Sequence, residues 1–279
     1  MKNLNCPFTV VIVSYHSNLK IFDLYETIPK NISIIIVDNS NDINLASWSQ
    51  DKSNINIIGL PKNIGFGAAC NIGASYCSTE WIFFVNPDCL FDKNTILGFS
   101  EFINLQPSAK CFSPLITDEN NKVFYKNKCF LSKPSKIFID TSTTSKVPFL
   151  SGAALFVEKN AFESIGGFDE NIFLFFEDDD LTFRLHEKFN SNYITPLIKI
   201  THLGGQSSPN SSTINLLKKY HWGKSEMYVT QKYKGSLSAF KLLLIHFMKL
   251  LNPLFLLNRD KFILQVYKLL GIAGIKVGF

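Results

Sequence analysis

The sequence predicts an α/β protein with a mostly parallel central sheet flanked by helices on both faces. Three observations predict it. Nearly uninterrupted, β-branched apolar runs recur through the first third of the chain, as strands buried on both faces require. Helix-compatible segments separate these runs, which is the pattern of parallel strands joined by crossovers. Residues able to hold a ligand stand at the ends of successive runs, where open α/β sheets bind their ligands.

The first strand is expected over Phe8 to Tyr15 and the second over Ile32 to Val37. The third runs from Asn54 to Leu60 and stops at Pro61; the fourth spans Trp81 to Val85 and stops at Asn86-Pro87-Asp88. Helices are expected over 17–28, 43–51, 66–77 and 92–106. Ser14, Asp38, Asn39, Asn63, Asn86 and Asp88 follow the strands in turn. Any one of them alone is ordinary turn chemistry; four strands ending this way point to a shared crevice. Asn63-Ile64-Gly65-Phe66-Gly67 permits close backbone approach at a helix start, which suits an anion such as a diphosphate. A tight strand-to-helix turn explains the same residues, and the pattern is neither G-x-G-x-x-G nor a Walker loop.

After Lys110 the order changes. A strand is expected over Cys111 to Ile116, with a hairpin through residues 118–121 to Val123–Tyr125. Residues 126–148 are polar and aperiodic and read as a loop. Phe149 to Glu158 returns to strand character, with Gly152 where another backbone or a ligand comes close. Asn160 is expected to cap a short helix ending at Gly166-Gly167, and Tyr193 to Ile200 forms the next strand. His202 stands at its end before two glycines. A lone His is more often structural, but this one could touch a metal or a phosphate.

The stretch from Phe168 to Leu185 carries four consecutive carboxylates, Glu177 to Asp180, after the apolar Phe173 to Phe176. A charge run is usually a solvated helix face. Here the acids suit a helix N-terminus continuing through Leu181, Leu185 and Phe189, and Asp180 and Arg184 pair at i,i+4. The aromatic residues would wall the carboxylates and limit water, and a carboxylate in a half-dry cleft is material for a general base.

Composition narrows the class. The 279 residues are 46% hydrophobic, enough for a substantial core. Six cysteines show no paired spacing, so a zinc site is not expected, and no signal peptide is visible. Reduced thiols and a cytoplasmic location are the expectation. Net charge is +5, but residues 218–279 hold eleven basic against two acidic residues, and the rest is mildly acidic. Two parts follow: residues 1–235 as the catalytic domain and 236–279 as an amphipathic tail. The apolar run from Leu237 to Leu257 is interrupted by Lys241, His246, Lys249 and Asn252, too often for a transmembrane span. A helix lying in an anionic membrane interface fits it, and so does packing on the domain or on a second copy in a homo-oligomer. Its lysines alternate with Leu and Phe rather than with a stacking platform, so no nucleic-acid partner is expected.

Taken in order, Val10 to Tyr15, Val37-Asp38-Asn39-Ser40, Asn63 to Gly67, Asn86-Pro87-Asp88, Gly166 to Glu170 and Glu177-Asp178-x-Asp180-Leu181-x-x-Arg184 resemble the family 2 glycosyltransferases. The resemblance covers about residues 8 to 230 and is strongest to bacterial rhamnosyltransferases of O-antigen and other surface polysaccharides. It implies a GT-A fold and inverting sugar transfer from a nucleotide-activated donor. dTDP-rhamnose is the first donor implied and a UDP-sugar the next, with a saccharide or lipid-linked saccharide acceptor at the inner membrane surface. By motif, Asp38 contacts the donor base with Ser14 beside it; Asn63, Gly65, Asn86 and Arg184 join the donor site. Asp88 binds Mg²⁺ or Mn²⁺ with His202, Asp178 is the base, and Glu177 orients acceptor or base. Asn86 stands where many members carry the first acid of D-x-D, which leaves fewer charged metal ligands. A scaffold that binds nucleotide without catalysis is the alternative. A nucleotidyltransferase is disfavoured, because Tyr15-His16-Ser17-Asn18 offers no basic, Gly-rich loop.

Overall fold

The computed structural model describes residues 7–126, 129–131, 140–205, 207–209 and 211–278. Contacts divide the chain into two compact units, one of residues 1–168 and 178–208, the other of residues 169–177 and 209–279. At Gly235, where the sequence places a boundary, the helical backbone breaks with φ 77°.

The first unit is built on a ten-stranded mixed sheet. In chain order come β1 (Phe8–Ser14), α1 (Asn18–Thr27), β2 (Ile34–Asp38), α2 (Ile43–Trp48), β3 (Ile55–Gly59), α3 (Phe66–Ser75) and β4 (Trp81–Val85). Then follow β5 (Cys89–Phe91), α4 (Thr95–Leu105), β6 (Cys111–Thr117), β7 (Val123–Phe124), β8 (Ser145–Lys146) and β9 (Ala154–Glu158). The unit closes with α5 (Lys159–Ser164), α6 (Glu177–Phe189) and β10 (Asn192–His202). The strand order is β3-β2-β1-β4-β9-β6-β10-β5, with β7 on β6 and β8 on β10. β1 pairs in parallel with β2 and β4, and β2 with β3. β9 is antiparallel to both β4 and β6, so β6 and its parallel neighbour β10 run the same way as β4. The carboxyl ends of β1, β2, β4 and β10 therefore share one edge, and the reversed strands β5 and β9 begin there.

Burial explains the sequence pattern. Every residue of β1, β2 and β4 is buried, as a sheet covered on both faces demands. On one face the phenylalanines interlock: Phe156 stacks on Phe83 with centroids 3.8 Å apart and on Phe112 at 4.6 Å, with Phe8 and Phe99 around it. On the other face α3 lies close because its inward residues are small. A Cβ on Gly73 would meet Val11 Cγ1 at 2.5 Å, so that helix could not approach with any other residue there.

Four local expectations are corrected. β5 was not expected; its three residues become a strand only by pairing with β10. Residues 149–153 are not strand, because β9 begins at Ala154. Asn160 lies inside α5 rather than capping it. Residues 126–148, expected as loop, contain β8, while 127, 128 and 132–139 lie outside the described residues.

The second unit is helical: α7 (Ser212–Leu250), α8 (Pro253–Leu256) and α9 (Arg259–Ile272). The helical run α7 is broken at Gly235, whose φ of 77° is not helical, so it consists of two helices, one on each side of that residue; α9 was not expected. α7 and α9 cross at two glycines. A Cβ on Gly223 would lie 2.0 Å from Lys268 O, and one on Gly271 2.0 Å from Tyr220 O. Beside this crossing, Lys268 pairs with Glu226 at 2.7 Å, and Gln265 Nε2 donates to His246 O at 3.0 Å. His246, expected on a polar face, is instead buried. Segment 169–177 is tied to α7 through Asp169, which accepts from Tyr228 Oη at 2.8 Å and Lys232 Nζ at 2.7 Å. Phe173, Phe175 and Phe176 pack on α7 as well, the first on His221 and the others on Trp222. Phe175 and Phe176 both have positive φ, 69° and 67°, a strained backbone for bulky residues that surrounding contacts must hold. No helix among the described residues is long and apolar enough to cross a membrane.

Acid should weaken this unit. Burial, joined by Lys224, pushes His221 down to about 4, and burial with Lys268 does the same for His246. Between the ordinary value of 6.5 and about 4 the unfolded chain binds protons that the folded chain refuses, so stability falls as pH falls. Thermal denaturation should give a lower Tm at pH 5 than at pH 7.5, with the difference reduced in His246→Gln.

Candidate active site

The carboxyl edge of the sheet gathers most of the residues singled out in the sequence. Asp38 ends β2 and is buried. Its Oδ1 accepts from Ser40 N at 2.9 Å and Ser40 Oγ at 2.6 Å, and its Oδ2 accepts from Asp42 N. The carboxylate thus shapes its own loop. Ser14 is fully buried, and its Oγ has no hydrogen-bond partner among the described residues. Asn39 was noted at the strand end but given no role. It ties two loops together, donating to Gly65 O at 3.0 Å and accepting from Ile64 N at 3.2 Å. Asn63 Oδ1 accepts from Gly65 N at 2.9 Å, and Gly65, at φ 96°, opens α3 in a conformation that suits glycine.

Asp88 and His202 are 114 positions apart and are joined by strand register. β5 pairs antiparallel with β10 so that Cys89 faces His202. His202 Nε2 then lies 3.3 Å from Asp88 Oδ1. Ser207 Oγ donates to the same oxygen at 2.6 Å, and Leu203 N donates to Asp88 O at 2.9 Å. Asn86 is fixed through its backbone, its N–H on Ala153 O at 2.9 Å.

Asp88, Cys89 and His202 present ligand atoms within 4.8 Å of one another. Burial, with the Asp88 charge, pushes the Cys89 thiol well above its ordinary range, and its Sγ lies on Ala153 O at 3.4 Å. A neutral thiol is a poor ligand, so the donors that fit a cation are the carboxylate and the imidazole. His202 Nε2 is buried and, among the described residues, makes no hydrogen bond, with Asp88 Oδ1 3.3 Å away; the two atoms stand where one ion could be shared between them. An oxygen and an imidazole nitrogen suit Mn²⁺, and the oxygen suits Mg²⁺.

The four-carboxylate run is not a solvated face. Asp179 and Asp180 are buried and Glu177 is half-buried, while the Asp178 side chain keeps 19% exposure. Arg184 directs its fork into the protein: Nε and Nη2 on Asp180 Oδ2 at 2.8 and 2.6 Å, Nη1 on Ile165 O and Nη2 on Gly167 O, both at 2.8 Å. It braces α6 to the Gly166-Gly167 turn, which is the buttressing its i,i+4 spacing suggested. The donor-binding role implied by the motif has no free N–H group to serve it, apart from one on Nη1.

Asp178 Oδ2 accepts from Gly152 N at 2.9 Å and from Lys126 Nζ at 2.8 Å, and its Oδ1 accepts from Asp179 N at 2.9 Å. Lys126 Nζ is also 2.8 Å from Asp179 Oδ1. Burial opposes ionisation of Asp178, but the Lys126 ammonium and the two N–H donors outweigh it and hold the carboxyl below its ordinary value. For Asp179, burial wins: opposed by Lys126 and joined by the Asp178 charge, it raises that carboxyl. Sequence reasoning missed Lys126, which lies in a segment without period. At Gly152 the close approach is made not by a backbone or a ligand but by the Asp178 side chain.

Residues 9–166 match the description "Glycosyl transferase family 2". The chain belongs to that family and is a glycosyltransferase. Among curated relatives, it is 27% identical over 225 residues to dTDP-rhamnosyl transferase RfbF of Shigella flexneri, covering 76% of this chain and 74% of the relative. It is 22% identical over 237 residues to N-acetylglucosaminyl-diphospho-decaprenol L-rhamnosyltransferase of Mycobacterium tuberculosis, covering 73% and 76%. Both of these relatives are named as rhamnosyl transferases.

Solved structures agree on the fold. The mannosyltransferase PcManGT of Pyrobaculum calidifontis, in complex with GDP-Man and Mn²⁺, superposes with a TM-score of 0.56 at 11% identity, covering 96% of this chain and 86% of that one. GalNAc-T7 with UDP, GalNAc and Mn²⁺ gives 0.58 at 15% identity, covering 80% of this chain and 48% of that one. The mixed, mostly parallel sheet is the GT-A fold.

Gly152 gives a test of this geometry. A Cβ there would stand 2.9 Å from Asp178 Cβ, so Gly152→Ala must push the carboxylate aside. For a carboxylate that takes part in transfer, displacement by about an ångström costs of order 10²-fold in rate, and unchanged kcat in this variant would count against such a part for Asp178. The expected result is a kcat loss of at least about tenfold with donor KM little changed.

Proposed function

We propose that this chain is an inverting transferase that moves a sugar, rhamnose first, from a nucleoside diphosphate donor to a hydroxyl of a saccharide or lipid-linked saccharide in surface polysaccharide synthesis. The observation that carries the reading is the Asp178 carboxylate, kept ionised yet partly exposed beside the edge where the strands end. dTDP-rhamnose is favoured over UDP-sugars because two relatives carry rhamnosyltransferase names.

The acceptor hydroxyl attacks the anomeric carbon from the face opposite the leaving group. The bond from that carbon to the diphosphate oxygen breaks, and its electron pair leaves with the nucleoside diphosphate. The hydroxyl proton passes to Asp178, since a sugar hydroxyl is a weak nucleophile until a base takes it. Asp88 and His202 would hold a divalent cation, Mg²⁺ or Mn²⁺, which offsets the charge gathering on the diphosphate. Ser14, Asp38, Asn39 and the Asn63–Gly65 turn would frame the nucleotide, Ser14 through its unpaired hydroxyl and Asp38 by fixing the loop. Glu177, opening α6, would orient the acceptor.

Asp178→Asn is expected to fold and to keep a thermal shift with dTDP or UDP plus Mn²⁺, while transfer falls by about 10²-fold or more. Turnover like the wild type would reject the base, and no nucleotide shift in the wild type would favour an inert scaffold.

The second unit supports a peripheral place on an anionic lipid surface. Leu237, Phe240, Leu244, Ile245, Phe247, Met248 and Leu251 of the α7 region are exposed. Lys241 and Lys249 interleave with them and are exposed as well. Apolar side chains beside lysines suit the headgroup boundary, where each lysine near the surface adds about 1 kcal/mol. The protein should float with vesicles containing phosphatidylglycerol and not with neutral phosphatidylcholine. Phe247→Glu/Met248→Glu should abolish flotation; unchanged flotation would reject this surface, and a concentration-dependent dimer without flotation would assign it to a second copy.

A further inference from the structure

Asp178 and Asp179 are adjacent carboxylates withdrawn from water, and such a pair cannot stay doubly ionised without a counter-charge. Lys126, just beyond β7, supplies it, with Nζ 2.8 Å from Asp178 Oδ2 and 2.8 Å from Asp179 Oδ1. Its own side chain is only 19% exposed, so the bridge is shielded from the salt and water that weaken surface pairs. Other titratable or charged groups beside it, among the described residues, are Cys129, Glu177 and Asp180. Cys129, from the same segment, is a thiol that burial pushes up to about 12. Glu177 and Asp180 lie on the same turn of α6, and Asp180 is engaged by Arg184.

The bridge also decides which oxygen is available. Asp178 Oδ2 is occupied by Lys126 Nζ and Gly152 N, whereas Oδ1 accepts the Asp179 N–H alone among the described residues. A carboxylate offers about four lone-pair sites, so Oδ1 keeps room for an incoming hydroxyl.

We propose that Lys126 is a positioning residue for glycosyl transfer: it fixes the Asp178–Asp179 pair, keeps Asp178 ready to accept a proton, and leaves Oδ1 as the oxygen that takes it. The inference rests on the reading of Asp178 as the base. Removing the ammonium leaves two carboxylates to share a proton, so the base is silenced at pH values where the wild type works. A brace that merely held the fold would change stability and leave the pH limb in place.

The test compares wild type, Lys126→Met, Lys126→Gln, Lys126→Arg and Asp178→Asn in kcat/KM for dTDP-rhamnose hydrolysis, with UDP-sugars in parallel, across pH 4.5 to 8.5. Carboxyl ¹³C NMR on Asp-labelled protein follows the same groups without substrate. The acid limb, and the carboxyl midpoint missing from the Asp178→Asn spectrum, should move up by about one pH unit or more in Lys126→Met and Lys126→Gln. Lys126→Arg should restore both. If Asp178→Asn is inactive but neither limb nor midpoint moves in the Lys126 variants, the proposal falls and the base stands. If Asp178→Asn is active, the base reading falls and takes the proposal with it. If no donor is hydrolysed, the NMR midpoint alone decides for or against Lys126. Should Lys126→Met fail to fold, Lys126→Gln, which keeps a donor without the charge, decides in its place.

Discussion

The structure depends on the cost of taking carboxylates out of water. Asp38, Asp88, Asp179 and Asp180 are all buried and Asp178 nearly so. An uncompensated buried charge costs several kcal/mol. Each is met differently: Asp38 by N–H and hydroxyl donors of its own turn, Asp88 by Ser207, Asp180 by Arg184, and the Asp178–Asp179 pair by Lys126. Because Ser207 and Lys126 come from distant parts of the chain, satisfying Asp88 and the Asp178–Asp179 pair also closes the site. The β6–β7 hairpin, the turn before β9, α6 and the segment after β10 are all held by these contacts.

The sheet makes that closure possible. β1, β2, β4 and β10 end at one edge, and the reversed β5 and β9 start there, so chain reversals deliver Asp88 and Gly152 to the place where the parallel strands deliver Ser14, Asp38 and His202. Phe8, Phe83, Phe99, Phe112 and Phe156 fill one face with interlocked rings. Interiors packed in this way deform little, which gives the edge a rigid base. The small face of α3 does the same on the other side: a helix seated tightly over Val11 has a fixed N-terminus, and Gly65 sits there.

The helical unit is held together differently. Its two main helices meet through glycines, with Glu226, His246, Gln265 and Lys268 sealed beside the crossing. Such polar contacts specify one alignment of α7 on α9, although several groups lose water to make them. Apolar side chains meanwhile face outward on the α7 region, opposite to what folding alone would favour. The positive-φ pair Phe175-Phe176, clamped on Trp222, ends two residues before Asp178. Strain of this kind persists only where contacts over-determine it.

By itself the sequence determined the alternation of strands and helices, the helix that carries the acidic run, and the strand ends at which Asp38, Asp88 and His202 stand. These are legible because buried parallel strands need continuous apolar runs and helix starts favour acids, and both are local constraints. The i,i+4 pairing of Asp180 with Arg184 was legible for the same reason. Only the tertiary structure decided that β5 exists, since three residues become a strand only when β10 offers them a partner. It also decided that Lys126 belongs to the site, because nothing near it in the chain distinguishes it from any other lysine. Asn39, Ser207 and the buried His246 follow suit. Local order is set by neighbours within a few residues, whereas pairing of charges and strands across a hundred residues is set by burial, which has no local signature.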